Sequence, residues 1–241
     1  MTTERKNCFK HCKDCPSWKN SIFKDLKDES LDLLSKNKTA NTYRKGQNLF
    51  MQGNPSFGLY CLGDGNIKVS IVNNEGKESI VRIASGGHIV GHRSIFSHQP
   101  YQAMGTSLSN THACFIDKKY LLELVKTDVS VANYSLFSLA RDLGVSEKKI
   151  SSLSHQNVRE RFAVLLLMLK ESHGVEKNGE ILLEINLSRE EMGSLLGMAS
   201  ETLIRCISEF KEENSIRLEK KMIVILDLEK ISKIANESII S

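Results

Sequence analysis

The chain has 241 residues, with 33 basic and 29 acidic side chains giving a net charge of +4, and it carries six cysteines. That length suits one or two ordinary domains, and so mild a charge excludes a polybasic nucleic-acid coat, so any DNA contact must come from local patches. No apolar run reaches membrane-spanning length and Met1–Lys6 is polar rather than a signal peptide, which predicts a cytoplasmic protein with no membrane partner, in a compartment where cysteines act as ligands or reactive thiols.

From Met1 to about Trp18 the chain is polar, basic and cysteine-bearing. The spacing of Phe23, Leu26, Leu31 and Leu34 predicts a short amphipathic helix over roughly Ile22 to Ser35. From Thr42 to about Ile116 the pattern changes to short alternating runs, among them Leu59–Leu62, Asn66–Val72 and Ser79–Ile83, with Asn73-Asn74-Glu75-Gly76 as a hairpin turn. Many short strands at regular spacing predict an antiparallel roll or barrel.

The helical period returns near Ser130. Leu136, Leu139, Leu143, Ser146, Ile150 and Leu153 recur at steps of three and four, the a/d seam of a dimerising helix or, equally on periodicity alone, the inner face of a core helix. A further helix runs from Asn157 to Glu171, with Phe162, Leu165, Leu166 and Leu169 apolar.

The most informative stretch is Leu187–Phe210. Ser188 is a good N-cap with Glu191 three residues on, as a capping box requires, and Met192, Leu195 and Leu196 mark a buried face. Gly197 supplies the break and Ser200 is expected to cap a second helix, with Leu203, Ile207 and Phe210 inward and Glu201, Thr202, Ile204 and Arg205 outward. This is the pattern of a helix-turn-helix, whose second helix enters the major groove; a plain helical hairpin would not need the outward Glu/Arg pair. Ser215–Leu218 and Met222–Leu226 then form a hairpin around Glu219-Lys220-Lys221, a wing on which Arg217, Lys220 and Lys221 are either phosphate contacts or ordinary solvated charge.

At this point the chain resembles the cyclic AMP receptor protein/FNR family of bacterial transcription regulators, and its FNR-like branch in particular. The resemblance is carried by Gly58–Val69, Gly76-Lys77-Glu78 and Gly86–Gly91, then Val158–Phe162, then Ser200-Glu201-Thr202 with Arg205, all in family order after the N-terminal tail. It implies an α+β fold with an N-terminal antiparallel β-roll of the cyclic-nucleotide-binding kind, a long dimerisation helix and a C-terminal winged helix-turn-helix. The expected divisions are 1–20 for the cysteine-bearing segment, 21–127 for the β-roll, 128–156 for the dimer helix and 157–241 for the DNA-binding domain. The implied function is that of a homodimer binding a palindromic double-stranded DNA operator, not of an enzyme. Glu201 would accept from a cytosine amino group and Arg205 would fork onto guanine, with Ser200 and Ile204 at variable reading positions. The candidate DNA-contacting set is Ser188, Arg189, Ser200, Glu201, Thr202, Ile204, Arg205, Arg217, Lys220 and Lys221. The polar loop His173–Gly179 occupies the position at which family activators contact RNA polymerase.

Cyclic nucleotide sensors of the family carry Gly-Glu after the β-roll glycines and Arg-Ser about ten residues on. Here Gly91 is followed by His92, and Gln102-Ala103 stand at the Arg-Ser positions, so both charged anchors are missing and cyclic AMP is not expected as the effector. His92, Arg93, Gln102 and Ala103 are the candidate pocket for a different anion, although solvent-facing loop residues would read the same way.

FNR-like oxygen sensors hold a [4Fe–4S] cluster with three N-terminal cysteines, spaced by two and then five residues, and one from the strand leading into the dimer helix. Cys8, Cys12 and Cys15 supply an N-terminal trio with gaps of three and two, and Cys114 falls at the fourth position, which makes these four the candidate metal ligands. The alternatives are zinc with His11, a reversible dithiol switch or a cluster site no longer used; for Cys114, in an apolar strand, the plain alternative is a buried core thiol. Cys61 and Cys206 read as core residues. Cys-x3-Cys-x2-Cys also occurs in radical S-adenosylmethionine enzymes, but these need a βα barrel, and the usual aromatic before the third cysteine is Asp14 here. No nucleophile elbow for a Ser-His-Asp hydrolase is present.

Overall fold

The computed structural model describes residues 11–21 and 23–236; Cys8 lies outside them. The chain divides into two compact units within one long helix, between Leu143 and Gly144.

In the first unit, α1 (Asp28–Asn37) begins later than its apolar spacing predicts. Ser21 Oγ accepts from the Phe23 amide and the backbone turns back through Lys24→Ser21 and Leu26→Phe23 hydrogen bonds, so Phe23 and Leu26 are buried from a turn rather than a helix. Two four-stranded antiparallel sheets follow. One has the order β1 (Lys38–Tyr43), β8 (Thr111–Asp117), β3 (Gly58–Asp64), β6 (Ile89–Val90); the other runs β2 (Asn48–Phe50), β7 (Met104–Ser107), β4 (Asn66–Val72), β5 (Glu78–Ser85). The β4–β5 turn forms where expected, because the Asn73 side chain accepts from the Glu75 and Lys77 amides and Gly76 takes φ 79°. One core gathers Leu31, Leu34, Leu59, Ile116, Leu121 and Leu124; the other gathers Phe50, Leu62, Ile67, Val90 and Tyr101. Every strand pairing among the described residues is antiparallel, so the βα barrel needed by the radical-enzyme alternative is not formed.

Two short helices were not expected from the sequence. These are α2 (His92–Phe96), begun by Gly91 at φ 83°, and α3 (Lys118–Thr127), capped by Asp117, which separates β8 from the long helix α4 (Val129–His155).

The second unit contains α5 (Val158–His173), whose Asn157–Glu160 capping box starts it one residue after the expected position. The stretch His173–Gly179 is a hairpin rather than a loop. β9 (Gly174–Lys177) pairs with β10 (Glu180–Leu183) across Asn178-Gly179, both at positive φ, the strongest short hairpin signal the sequence offered there. β10 continues the sheet to β12 (Met222–Ile225) and β11 (Ile216–Glu219), and α8 (Leu228–Asn236) packs on α5.

Candidate nucleic-acid interface and thiol cleft

The helix-turn-helix is built from caps and a clamp. In α6 (Arg189–Leu196) Ser188 Oγ accepts from the Glu191 amide at 3.0 Å while the Glu191 carboxylate accepts from the Ser188 amide at 2.8 Å. Gly197 ends the helix at φ 61°, ψ 41°. A Cβ there would also lie 2.7 Å from Leu153 Cδ2, so Leu153 packs over this turn rather than serving a seam alone. α7 (Ser200–Glu212) is preceded by Ala199 as its N-cap, with no side-chain cap; Ser200 is the first helical residue, one position inside the expected boundary. Leu203, Ile207 and Phe210 are buried as predicted, and Cys206 joins them, its thiol pushed up to about 11 by burial and so unreactive. Glu201, Ile204 and Arg205 are exposed and Thr202 is half-buried, leaving one turn and a half of reading surface.

Two residues that sequence reasoning quoted but gave no role hold this surface in place. Arg159 of α5 forks onto Glu209 (2.8 Å) and Glu213 (2.7 Å), with its guanidinium 5.0 Å from the Phe210 ring centre; Lys230 bonds Glu213 from the far side at 3.0 Å. Arg161 Nη1 donates to the Leu196 carbonyl at 2.8 Å, satisfying the end of α6. Phe162 and Phe210 meet edge to face at 5.1 Å beneath them. The Arg-x-Arg pair at the start of a capped helix was the available signal.

On the wing, Glu219 pairs with Met222 and the turn tightens to Lys220-Lys221, with Lys220 at φ 58°. Both lysines are exposed. Arg217 is half exposed and its guanidinium is paired with Glu180 and Glu219 on the wing.

The four residues expected to line an effector pocket do not build one anion site. His92 is buried, 1% exposed, not in a solvent-facing loop; its Nε2 lies 3.5 Å from the Asp142 carboxylate, which is also paired with Arg82 at 3.1 Å. Burial, and then the charges of Arg82, Arg141 and Arg93, push the His92 pKa down to about 3, so it is neutral. Arg93 is exposed, Gln102 is spent on Ser94 and Pro100, and Ala103 packs against the Phe50 core.

The thiols do come together. The N-terminal segment is tied to α1 by Lys13–Asp28 (2.7 Å), His11–Asp32 (3.3 Å) and the Cys12 amide on Ser35 Oγ, and to β3 by Ser17 Oγ on the Gly63 carbonyl at 2.8 Å. It lies on glycines: a Cβ at Gly86 would come within 2.3 Å of Ser17 Oγ, and one at Gly87, itself at φ 88°, within 2.8 Å of the Asn20 carbonyl oxygen. Cys12, Cys15 and Cys114 line one narrow cleft, walled mostly by apolar groups such as Trp18, Phe23, Leu34 and Ile116, with Ser17, Ser21 and Lys38 among them. Cys61, expected to be a core residue, is the fourth thiol in that cleft, directly opposite Cys114 across β3 and β8. Burial, then the Cys114, Cys15 and Cys12 thiols, raise the Cys61 pKa. Among the described residues no three His, Cys, Asp or Glu side chains are drawn together tightly enough to hold a single metal ion. Thiolate is the donor an iron–sulfur cluster uses, and the cleft gathers four thiols without closing them into such a group as they stand.

A model of the cyclic nucleotide-binding domain matches residues 40–128 and one of the Crp-like helix-turn-helix domain matches 160–234. The chain is 26% identical to a CRP-like cAMP-activated global transcriptional regulator of Mycobacterium tuberculosis, over 88% of this chain and 95% of that one. It is 25% identical to the fumarate and nitrate reduction regulatory protein of Vibrio cholerae, over 96% and 92%. The fold is that of FixK2 from Bradyrhizobium japonicum, with a TM-score of 0.72 at 20% identity over 82% of this chain and 96% of that one. With a β-roll of the nucleotide-binding kind, a long helix and a capped helix-turn-helix in this order, the chain belongs to the cyclic AMP receptor protein/FNR family of DNA-binding transcription regulators.

Proposed function

We propose that this protein is a homodimeric, sequence-specific regulator that reads a palindromic operator with α7 and takes a redox or oxygen signal at its thiol cleft. The observation that carries the DNA-reading half is the outward face of α7, Glu201, Ile204 and Arg205, on a helix whose inner face and C-terminal half are fixed by Phe162 and Arg159. Arg205 would donate to guanine O6 and N7 and Glu201 would accept from a cytosine amino group. Lys220 and Lys221 would touch phosphate and set register. The homodimer is supported by Leu136, Leu143 and Ile150 on α4, which are 66%, 60% and 65% exposed, a stripe that a second copy of the helix would cover. The His173–Gly179 stretch, ending in the exposed Asn178-Gly179 turn, is the surface we assign to RNA polymerase contact.

The cleft is the support for a redox input, together with similarity to a fumarate and nitrate reduction regulator. Cys8, Cys12, Cys15 and Cys114 would hold a [4Fe–4S] cluster, which supplies redox-active iron when bound. The chain's own part is to fix the segment on Gly63, Gly86 and Gly87 and to keep the site apolar. Cyclic AMP is set aside, because the position of the ribose anchor is the buried, neutral His92, and the carboxylate beside it, Asp142, is engaged by Arg82.

Selection from random DNA, followed by titration of the recovered sites, tests the reading. Wild-type protein is expected to recover inverted repeats with half-sites about one helical turn apart. Arg205→Ala is expected to cost about 1–3 kcal/mol at one base pair of each half-site. Equal weakening on all sequences would remove Arg205 from base reading.

A further inference from the structure

A charge aimed into a sheet's inner face has to be answered from elsewhere, and β5 carries one. The β4–β5 ladder is irregular at one point: Arg82 stands opposite Val69 and Ile80 opposite Ser70, so Val81 is an extra, bulged residue. Directly opposed residues project on one face, and Val69, with Ile67 and Ala84 further along the same pair, belongs to the core around Phe50. Arg82 is therefore aimed into the roll. Its Nη2 donates to the Ile89 carbonyl at 3.3 Å and lies 3.1 Å from the Asp142 carboxylate of α4. Burial pulls the Arg82 pKa down and the Asp142 charge holds it up.

The long helix depends on this pair as much as the roll does. Its buried residues, among those described, are Val131, Ser135 and Ser138, and Asp142 continues their spacing of four, three and four along one helix face. Only Val131 is apolar, and Ser135 spends its hydroxyl on the Val131 carbonyl of its own helix. Past its first turn, then, this face buries little apolar surface. Asp142 is the last position on it before the boundary between Leu143 and Gly144. His92 stands 3.5 Å from the carboxylate, but neither of its ring nitrogens has a hydrogen-bond partner among the described residues, so it adds no second bond. We infer that Arg82 and Asp142 are positioning residues that lash α4 to the roll, so that presentation of the Leu136–Leu143 stripe to a second copy, and with it the reading of two half-sites, depends on this ion pair. Release of α4 would leave the Arg82 charge facing the core without its counter-charge, which is why the helix stays. The inference rests on the homodimer reading given above.

The test uses full-length wild type, Arg82→Gln, Asp142→Asn and the charge swap Arg82→Asp with Asp142→Arg. Self-association is measured by sedimentation, and affinity is measured for a recovered inverted repeat and for a single half-site of it. Each single variant is expected to self-associate more weakly and to lose roughly tenfold in affinity for the repeat, with half-site affinity unchanged. The swap should recover both. A merely structural role would lower the two affinities together, since it would act through the folded fraction. Single variants that dimerise and bind the repeat like wild type, an equal loss on the half-site, or a swap that recovers nothing overturns the inference and leaves the homodimer reading standing. A wild type that stays monomeric on the repeat overturns both. If the single variants do not fold, the swap decides: a folded, dimeric swap upholds the pair and an unfolded one overturns it.

Discussion

The two places where this chain meets its surroundings are held by opposite means. The reading helix α7 is fixed by neighbours in sequence and by one charged clamp: a capping box on α6, Gly197 at the turn, and Arg159 on Glu209 and Glu213. The cysteine segment has only short turns of its own. It is held by surface contacts of Lys13 with Asp28 and His11 with Asp32, by single hydrogen bonds to Ser35 and Gly63, and by the emptiness of two glycines far along the chain. A surface that must present the same side chains to every operator benefits from rigidity. A segment that reports a change gains from being held by contacts that are individually weak.

The contrast can be broken most strongly at Phe210. It is fully buried against Phe162 and under Arg159, so Phe210→Ala is expected to cost about 3–5 kcal/mol in denaturant unfolding, with DNA binding lost. An unchanged midpoint would mean that the clamp alone holds α7.

The next effect is on pH dependence. The native His92 pKa is pushed down to about 3 from 6.5, so below 6.5 the unfolded chain takes up a proton that the folded chain refuses. Stability from this group is complete above 6.5 and falls as the pH drops through the window from 6.5 towards 3. Denaturant midpoints of wild type and His92→Gln across that range should differ in slope, and parallel curves would show that His92 is not buried neutral.

A smaller effect is expected on α4. Leu143→Lys, at a 60% exposed position, should weaken self-association without lowering the stability of the monomer, measured by sedimentation and by unfolding at low concentration. A lowered monomer stability would return the seam to the core. The smallest is the cap: Ser188→Ala removes the bond to the Glu191 amide and should cost about 1 kcal/mol. A loss near zero would show that Arg161 at the other end suffices for α6.

The same contrast explains what the sequence made legible. Capping boxes, helical spacing and turn residues are local, so the β-roll, the long helix, the helix-turn-helix and the outward Glu201–Arg205 face could all be read. The ion pair of Arg217 could not, because its partner Glu180 comes from a strand 37 residues away. His92 read as a loop residue because nothing beside it announces Asp142. Cys61 read as core and does pack against the core around Leu31 and Leu59; its place opposite Cys114 was not legible, because a register is a property of two strands. The Asn178-Gly179 hairpin was a local signal that was missed, since a short polar stretch between a helix and a strand reads most simply as a loop.

The glycine bed under the cysteine segment carries a lesson for genetics. Gly86 and Gly87 contribute no ligand and no hydrogen-bonding side chain, yet the segment can lie down only because they have no side chains. A substitution there would leave every cysteine in place while lifting two of them from the cleft. If the cleft is the signal input we propose, such an allele would keep all its cysteines and behave as one that has lost its signal.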